Sequence, residues 1–153
     1  MPRLKTLKEA YEECKSKGSY RQLEEVNAQK VKSLIENAQV NLNSANIIAN
    51  AIDKKAKEWM NVFILHYDAL RIYAEGLLHL KSIDSGHHQG IFAALCTTYP
   101  SLELSWEFLE EIRTIRNGIN YYGKHISYED WKKHQVQIIL YLDTLRKELE
   151  KKL

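Results

Sequence analysis

Proline is nearly missing from this chain: Pro2 and Pro100 are the only two, and they are joined by just six glycines in 153 residues. A many-stranded sandwich or barrel needs a turn signal roughly every 8–12 residues, and so few turn residues cannot supply them. Cysteine is as scarce. Cys14 and Cys96 stand far apart with no metal-type spacing. That excludes a disulfide scaffold and leaves two single thiols, which suit a reducing compartment, so a cytoplasmic location is expected. A run of about eighteen apolar residues is also lacking, so no membrane-spanning segment is expected. The stretch from Met1 to Lys15 is charged throughout and has no apolar core of the signal-peptide kind. Nor does one sign of charge dominate: 22 Lys and Arg face 20 Asp and Glu, for a net +2. No whole-protein field therefore draws in nucleic acid, although a local basic site stays open.

What is present is an ordinary globular composition, 44% hydrophobic and 27% charged, in a length that suits one packed core. The apolar residues recur at helical spacing. A short amphipathic helix is expected from Leu4 to about Lys17, with Leu4, Leu7 and Tyr11 on its stripe and Gly18 as its stop. Ser19 or Asn27 can cap the next helix. From about Asn27 to Asp53, Val31, Leu34, Ile35, Ala38, Leu42, Ala45, Ala49 and Ile52 recur in steps of three and four, one face of a long helix. Its other face carries Asn37, Gln39, Asn41, Asn43, Asn46 and Asn50, read as a solvated surface, with a hydrogen-bonding surface for a partner as the alternative.

A third helix, about Lys57 to Ser82, is apolar nearly all the way round and so belongs in the middle of a bundle. A thin polar seam of Asp68, Arg71, Glu75 and His79 runs along it. Ionised groups on a buried rod are costly unless paired. Two readings remain open: an intrahelical ladder of ion pairs at helix spacing, or a seam facing a polar site on a neighbouring helix. The segment from Ser85 to Gly90 reads as a loop. His87 and His88 are adjacent in it and so share no helix face. With no acidic or Cys partner at ligand spacing they read as solvated side chains, and neither a metal nor a cofactor is expected. A short helix from Ile91 to about Thr98 ends at Pro100. Another is expected from Ser101 to Tyr122, with Glu103 in its first turn and Gly123 as its stop. Tyr128 to Leu153 is the last, on a stripe of Trp131, Ile138, Leu142, Leu145 and Leu149. The fold class expected is all-α: an antiparallel up-and-down bundle of four to five helices over residues 25–153, with an extra N-terminal helix in residues 1–24.

The most informative stretch runs from Ile112 to Gly123. At about 100° per residue, Phe108, Ile112, Ile115, Ile119 and Tyr122 fall within about 80° as a core face. Arg113, Arg116, Asn117, Asn120 and Tyr121 share a separate face of about 140°. That face combines guanidinium forks for phosphate oxygens with amides and a ring suited to nucleotide bases. It carries no acid. The competing reading is a solvated face whose arginines pair with Glu110 or Glu111. Gly118, inside the helix, suggests close approach of another backbone, such as a second subunit.

Several pieces together resemble the HEPN superfamily of small helical domains. They are His66-Tyr67-Asp68-Ala69-Leu70-Arg71 with Glu75, Ile91-Phe92-Ala93-Ala94-Leu95, and Ile112-Arg113 followed by Arg116-Asn117-Gly118-Ile119-Asn120-Tyr121-Tyr122-Gly123. The resemblance covers about residues 27–150. It implies a helical bundle, usually a homodimer, whose polar cleft at the subunit interface binds RNA or a nucleotide, in many members beside a minimal nucleotidyltransferase of a toxin–antitoxin or defence module. Many members are metal-independent endoribonucleases that use an Arg, a polar follower and then a His. Carried over, Arg116 and Asn117 match the Arg and its follower, and Tyr121 stands where the His is expected. His125 lies nine positions after Arg116, outside the family's window. Arg116, Asn117 and Tyr121 are thus the candidate catalytic residues. Arg113, Asn120, His125, Asp68, Arg71 and Glu75 are the candidate binding residues. Binding of RNA, a nucleotide or a nucleotidyltransferase is the first expectation, ribonuclease activity the second, and a purely structural helical adaptor the third.

Overall fold

The computed structural model describes residues 3–153, so Met1 and Pro2 of the expected N-terminal unit lie outside the described residues. The molecule is all-α. Its helices are α1 (Leu7–Ser16), α2 (Ala28–Ala51), α3 (Trp59–His79), α4 (His88–Thr98), α5 (Trp106–Tyr122) and α6 (Tyr128–Lys152), with a 3-10 turn at Pro100–Leu102. Two short strands, β1 (Arg21–Gln22) and β2 (Ile83–Asp84), pair antiparallel, Arg21 opposite Asp84. Among the described residues no helix is long and apolar enough to cross a membrane.

Local chemistry sets the ends of the helices. Thr6 and Glu9 form a capping box at α1, and Ser127 and Asp130 form another at α6. The Asn27 side chain caps α2 by accepting from the Lys30 N–H, and Ser105 caps α5 through the Phe108 N–H. Gly123 ends α5 in the left-handed region, φ 64°, where a side chain would be strained.

Burial explains the order of packing. α3 is buried on almost every side, through Phe63, Tyr67, Leu70, Tyr73, Leu77 and Leu78 among others, and α2, α4, α5 and α6 all pack on it. The expected stripe of α6 is buried in full, from Trp131 to Leu149. α2 buries Val31, Ala38 and Ala45 against α3.

Four local expectations are corrected. α1 begins at Leu7, and its buried face is Ala10 and Cys14, leaving Leu4 exposed. α5 begins at Trp106 rather than Ser101, because Glu103 takes a left-handed conformation, φ 53°, after the 3-10 turn; Glu107 occupies the first turn instead. The loop before α4 is shorter than expected: His87 is the cap, and His88, Gln89 and Gly90 are already helical. Among the described residues of this chain, Gly118 meets no second backbone. A Cβ there would stand 3.2 Å from Cδ of Lys124, whose side chain folds back over the helix end.

Candidate functional site

α5 is held by Phe108, Leu109, Ile112 and Ile119, which are buried in the core. Tyr122, expected on that face, is exposed where the helix ends. The register this imposes turns Arg113, Arg116, Asn117 and Tyr121 toward the start of α4. Together with Gly86, His87, His88 and Gln89 they line an open cleft of about 310 Å³. Among the described residues that line it, none is acidic.

The carboxylates lie beneath this wall, and each arginine has one. Glu110 is buried, and its Oε2 accepts from Arg113 Nη2 at 2.7 Å and Nε at 3.2 Å. Its Oε1 accepts from Gln89 Nε2 at 2.8 Å, which ties α4 to α5. Arg113 is thus paired through Nε and one Nη2 N–H, as one branch of the solvated-face reading expects, but with a buried carboxylate. Glu111 pairs with His134 instead.

Arg116 is held differently. Its Nη2 stands 3.6 Å from Asp68 Oδ1, too far for a hydrogen bond. Its guanidinium lies 5.7 Å from the centre of the Tyr67 ring, a cation–π contact. Arg116 Nε and Asp68 Oδ1 are both buried and find no hydrogen-bond partner among the described residues. Unmet hydrogen-bonding capacity of this kind costs about 1–3 kcal/mol per group. Arg116 also lines the cleft, so part of its guanidinium faces an oxyanion entering there.

The polar seam of α3 divides between the two readings left open for it. Arg71 and Glu75 form an intrahelical pair, Nη1 to Oε1 2.6 Å, whereas Asp68 reaches across to α5. Glu75 does not line the cleft. It faces a separate cavity of about 230 Å³ with Lys30, His79 and Asp84, and burial raises its pKa. His79 leaves the seam as well, since its Nε2 accepts from the Asn27 N–H at 2.9 Å.

The histidines read as solvated are part of the cleft. His87 Nδ1 accepts from the Gly90 N–H at 3.3 Å, which assigns its proton to Nε2. His88 Nδ1 lies 3.3 Å from the Tyr67 hydroxyl. Burial lowers the His88 pKa to about 4, and the charges of Arg71, Arg116 and Arg113 push it the same way. Burial also raises the Tyr67 pKa. The phenol is therefore the donor and the imidazole the neutral acceptor. Both rings keep an Nε2–H, so the histidines add donors to a wall of donors.

Of the residues singled out from sequence, the fold brings Arg113, Arg116, Asn117 and Tyr121 into one cleft, with Asp68 and Arg71 behind them. Asn120 and His125 are exposed and line no part of it. Tyr121 stands at its rim, 72% exposed. Sequence reasoning missed His87, His88, Gln89 and Tyr67 as members of the site, and the buried Glu110 as a tie between helices. The signal was there in part: a cap at His87 followed by Gly90 starts α4 early enough to bring both histidines to α5. Among the described residues, no group of three His, Cys, Asp or Glu side chains is placed to hold a metal ion. Comparison of the chain with family models, with curated proteins and with solved structures finds no match.

Proposed function

We propose that this chain is a HEPN-like helical protein that binds RNA or a nucleotide through the cleft between α4 and α5. The observation that carries the reading is Arg116: a guanidinium at the base of a donor-lined cleft, loosely matched to Asp68, with a buried Nε still to be satisfied. A phosphate oxygen entering the cleft meets this guanidinium, whose planar fork is suited to it. Asn117 offers an amide to a base edge, and the exposed Tyr121 ring offers a stacking surface at the rim. The homodimer and the nucleotidyltransferase partner belong to the same proposal and rest on the family resemblance alone.

The test is fluorescence anisotropy of a labelled single-stranded RNA with wild type and Arg116→Ala over a salt series. Loss of a charge-assisted contact should weaken binding at low salt by about tenfold or more. Equal affinity would remove Arg116 from the site.

A second reading, metal-independent ribonuclease activity, is favoured by one feature. His87 and His88 stand in the cleft with the arginines, so an imidazole is near a bound phosphate even though Tyr121 occupies the motif position. RNA incubated with the protein in chelator should then give cyclic-phosphate ends, and the cleavage should disappear in both Arg116→Ala and His87→Ala. Intact RNA at high protein concentration would retire this reading and leave binding.

A further inference from the structure

The turn that leads into His87 and His88 is braced from a distant part of the chain. It starts at Ser82, a non-glycine residue in the left-handed region, φ 61°. It continues through β2, two residues long, which is too short a strand to persist alone. Besides the ties of His88 to α3 and Gln89 to α5, the N-terminal segment holds this turn. The Leu23 N–H donates to the Ser82 carbonyl at 2.8 Å. β1 pairs with β2, and Arg21 Nη2 meets Asp84 Oδ2 at 2.9 Å. At the far end of the turn, the Tyr20 hydroxyl donates to the Gly90 carbonyl at 2.7 Å. Gly90 in turn gives its N–H to His87.

Gly90 is where the two segments close on each other. A Cβ there would lie 3.1 Å from Ser85 Oγ and 3.5 Å from both Cys14 Sγ and the Tyr20 ring. The Tyr20 ring is stacked on Tyr11, with centroids 5.3 Å apart. So α1 and β1 brace the turn from outside while α5 faces it from inside.

We propose that Tyr20, with the β1 strand it leads into, is a positioning residue for the cleft, holding the turn from Ser82 to Gly90 so that His87 and His88 stand opposite Arg116. Its consequence for ligand affinity rests on the proposed binding function, but the positioning itself does not. Moving the turn outward would give the His88 ring to water and take it away from its neighbours. The groups facing that ring are Tyr67 and Arg71 from α3, Arg113 and Arg116 from α5, and His87 beside it.

The experiment is an NMR pH titration of the histidine rings in the whole chain without ligand, on wild type, Tyr20→Phe and Gly90→Ala, with Ile138→Val in α6 as a destabilised control. The first variant removes one hydrogen bond and keeps the ring. The second pushes a methyl group toward Ser85. In both, the His88 midpoint should rise from about 4 in wild type, by about one pH unit or more, as its ring becomes hydrated. The His66 midpoint should stay with wild type in both. Arg21→Ala, which breaks an exposed pair, gives the same readout should Tyr20→Phe lose the fold. An unmoved His88 in the folded variants would overturn the proposal, as would an equal shift in Ile138→Val. RNA affinity is then measured on the same proteins. A His88 shift in a protein whose wild type binds no RNA would uphold the positioning role and sink the binding function.

Discussion

The two sides of α3 treat buried polar groups differently. Toward α6, and where α6 meets the first half of α5, they are used up. His66 Nδ1 bonds the Val62 carbonyl. His134 uses both ring nitrogens, on the Asp130 carbonyl and Glu111. The Tyr141 hydroxyl accepts from the Ser105 N–H at 2.7 Å. Among the described residues the Tyr73 hydroxyl is an exception, buried and without a hydrogen-bond partner. Toward α4 and α5 the unmet groups gather in one place: Arg116 Nε, Asp68 Oδ1 and Arg71 Nε. A fold that satisfies its polar core on one side had the means to do so on the other. Two of these atoms are donors and one an acceptor, and of the three residues Arg116 lines the cleft between α4 and α5.

The two arginines of α5 make the sharpest contrast, and the largest expected effect comes from the satisfied one. Glu110→Ala leaves the Arg113 guanidinium without its carboxylate and frees Gln89 from α5. Breaking a buried pair in this way should cost about 3 kcal/mol in a urea unfolding curve. A loss below about 1 kcal/mol would mean that Glu110 is no tie between the helices.

The next effect is a pH dependence. The folded-state pKa of His88 is lowered to about 4, against about 6.5 in an unfolded chain. The unfolded state therefore takes up the proton first. The stability due to a neutral His88 is complete above about pH 6.5 and is lost as pH falls toward 4, at no more than about 1.4 kcal/mol per pH unit. His66 and His79 are lowered too and act with the same sign. Glu75, raised by burial, acts with the opposite sign, its stabilising share being lost as pH rises through its folded-state value. His88→Asn should make the difference in stability between pH 7 and pH 5 visibly smaller. An unchanged difference would show that the ring is not desolvated.

The smallest effect on stability belongs to the loose pair. Asp68→Asn should change unfolding free energy by about 1 kcal/mol or less, because the 3.6 Å contact contributes little. It should also raise phosphate affinity a few-fold, since a competing carboxylate is gone. A cost as large as that of Glu110→Ala would erase the distinction between the two arginines.

Much of the bundle was legible in the sequence because it rests on local periodicity. Val31 to Ala49 in α2 and Trp131 to Leu149 in α6 repeat at three and four, and Asn27 and Gly123 mark ends by cap chemistry. Half of the cleft was legible for the same reason, since Arg113, Arg116, Asn117 and Tyr121 lie on one face of one helix. The other half depends on contacts far apart in the chain. His87 and His88 meet α5 across more than twenty residues, and their turn is shaped by Tyr20 and β1 from further still. Two-residue strands have no alternation to read. Glu103 has an ordinary side chain in an unusual backbone conformation, so nothing in its type announces that α5 starts later. Gly118 invited the close approach of another backbone, whereas its nearest neighbour within this chain is the Lys124 side chain, a choice no spacing rule makes.

The central claim is that Arg116, and not Arg113, is the guanidinium that a phosphate group engages. The direct measurement is a titration of adenosine monophosphate, and then a short single-stranded RNA, into protein with isotopically labelled arginine, following the Nε–H resonances. Arg116 Nε–H should show a saturable shift, with Arg113 Nε–H, already bonded to Glu110, nearly still. Saturation with Arg116 unmoved, or no shift of either resonance at millimolar ligand, would contradict it.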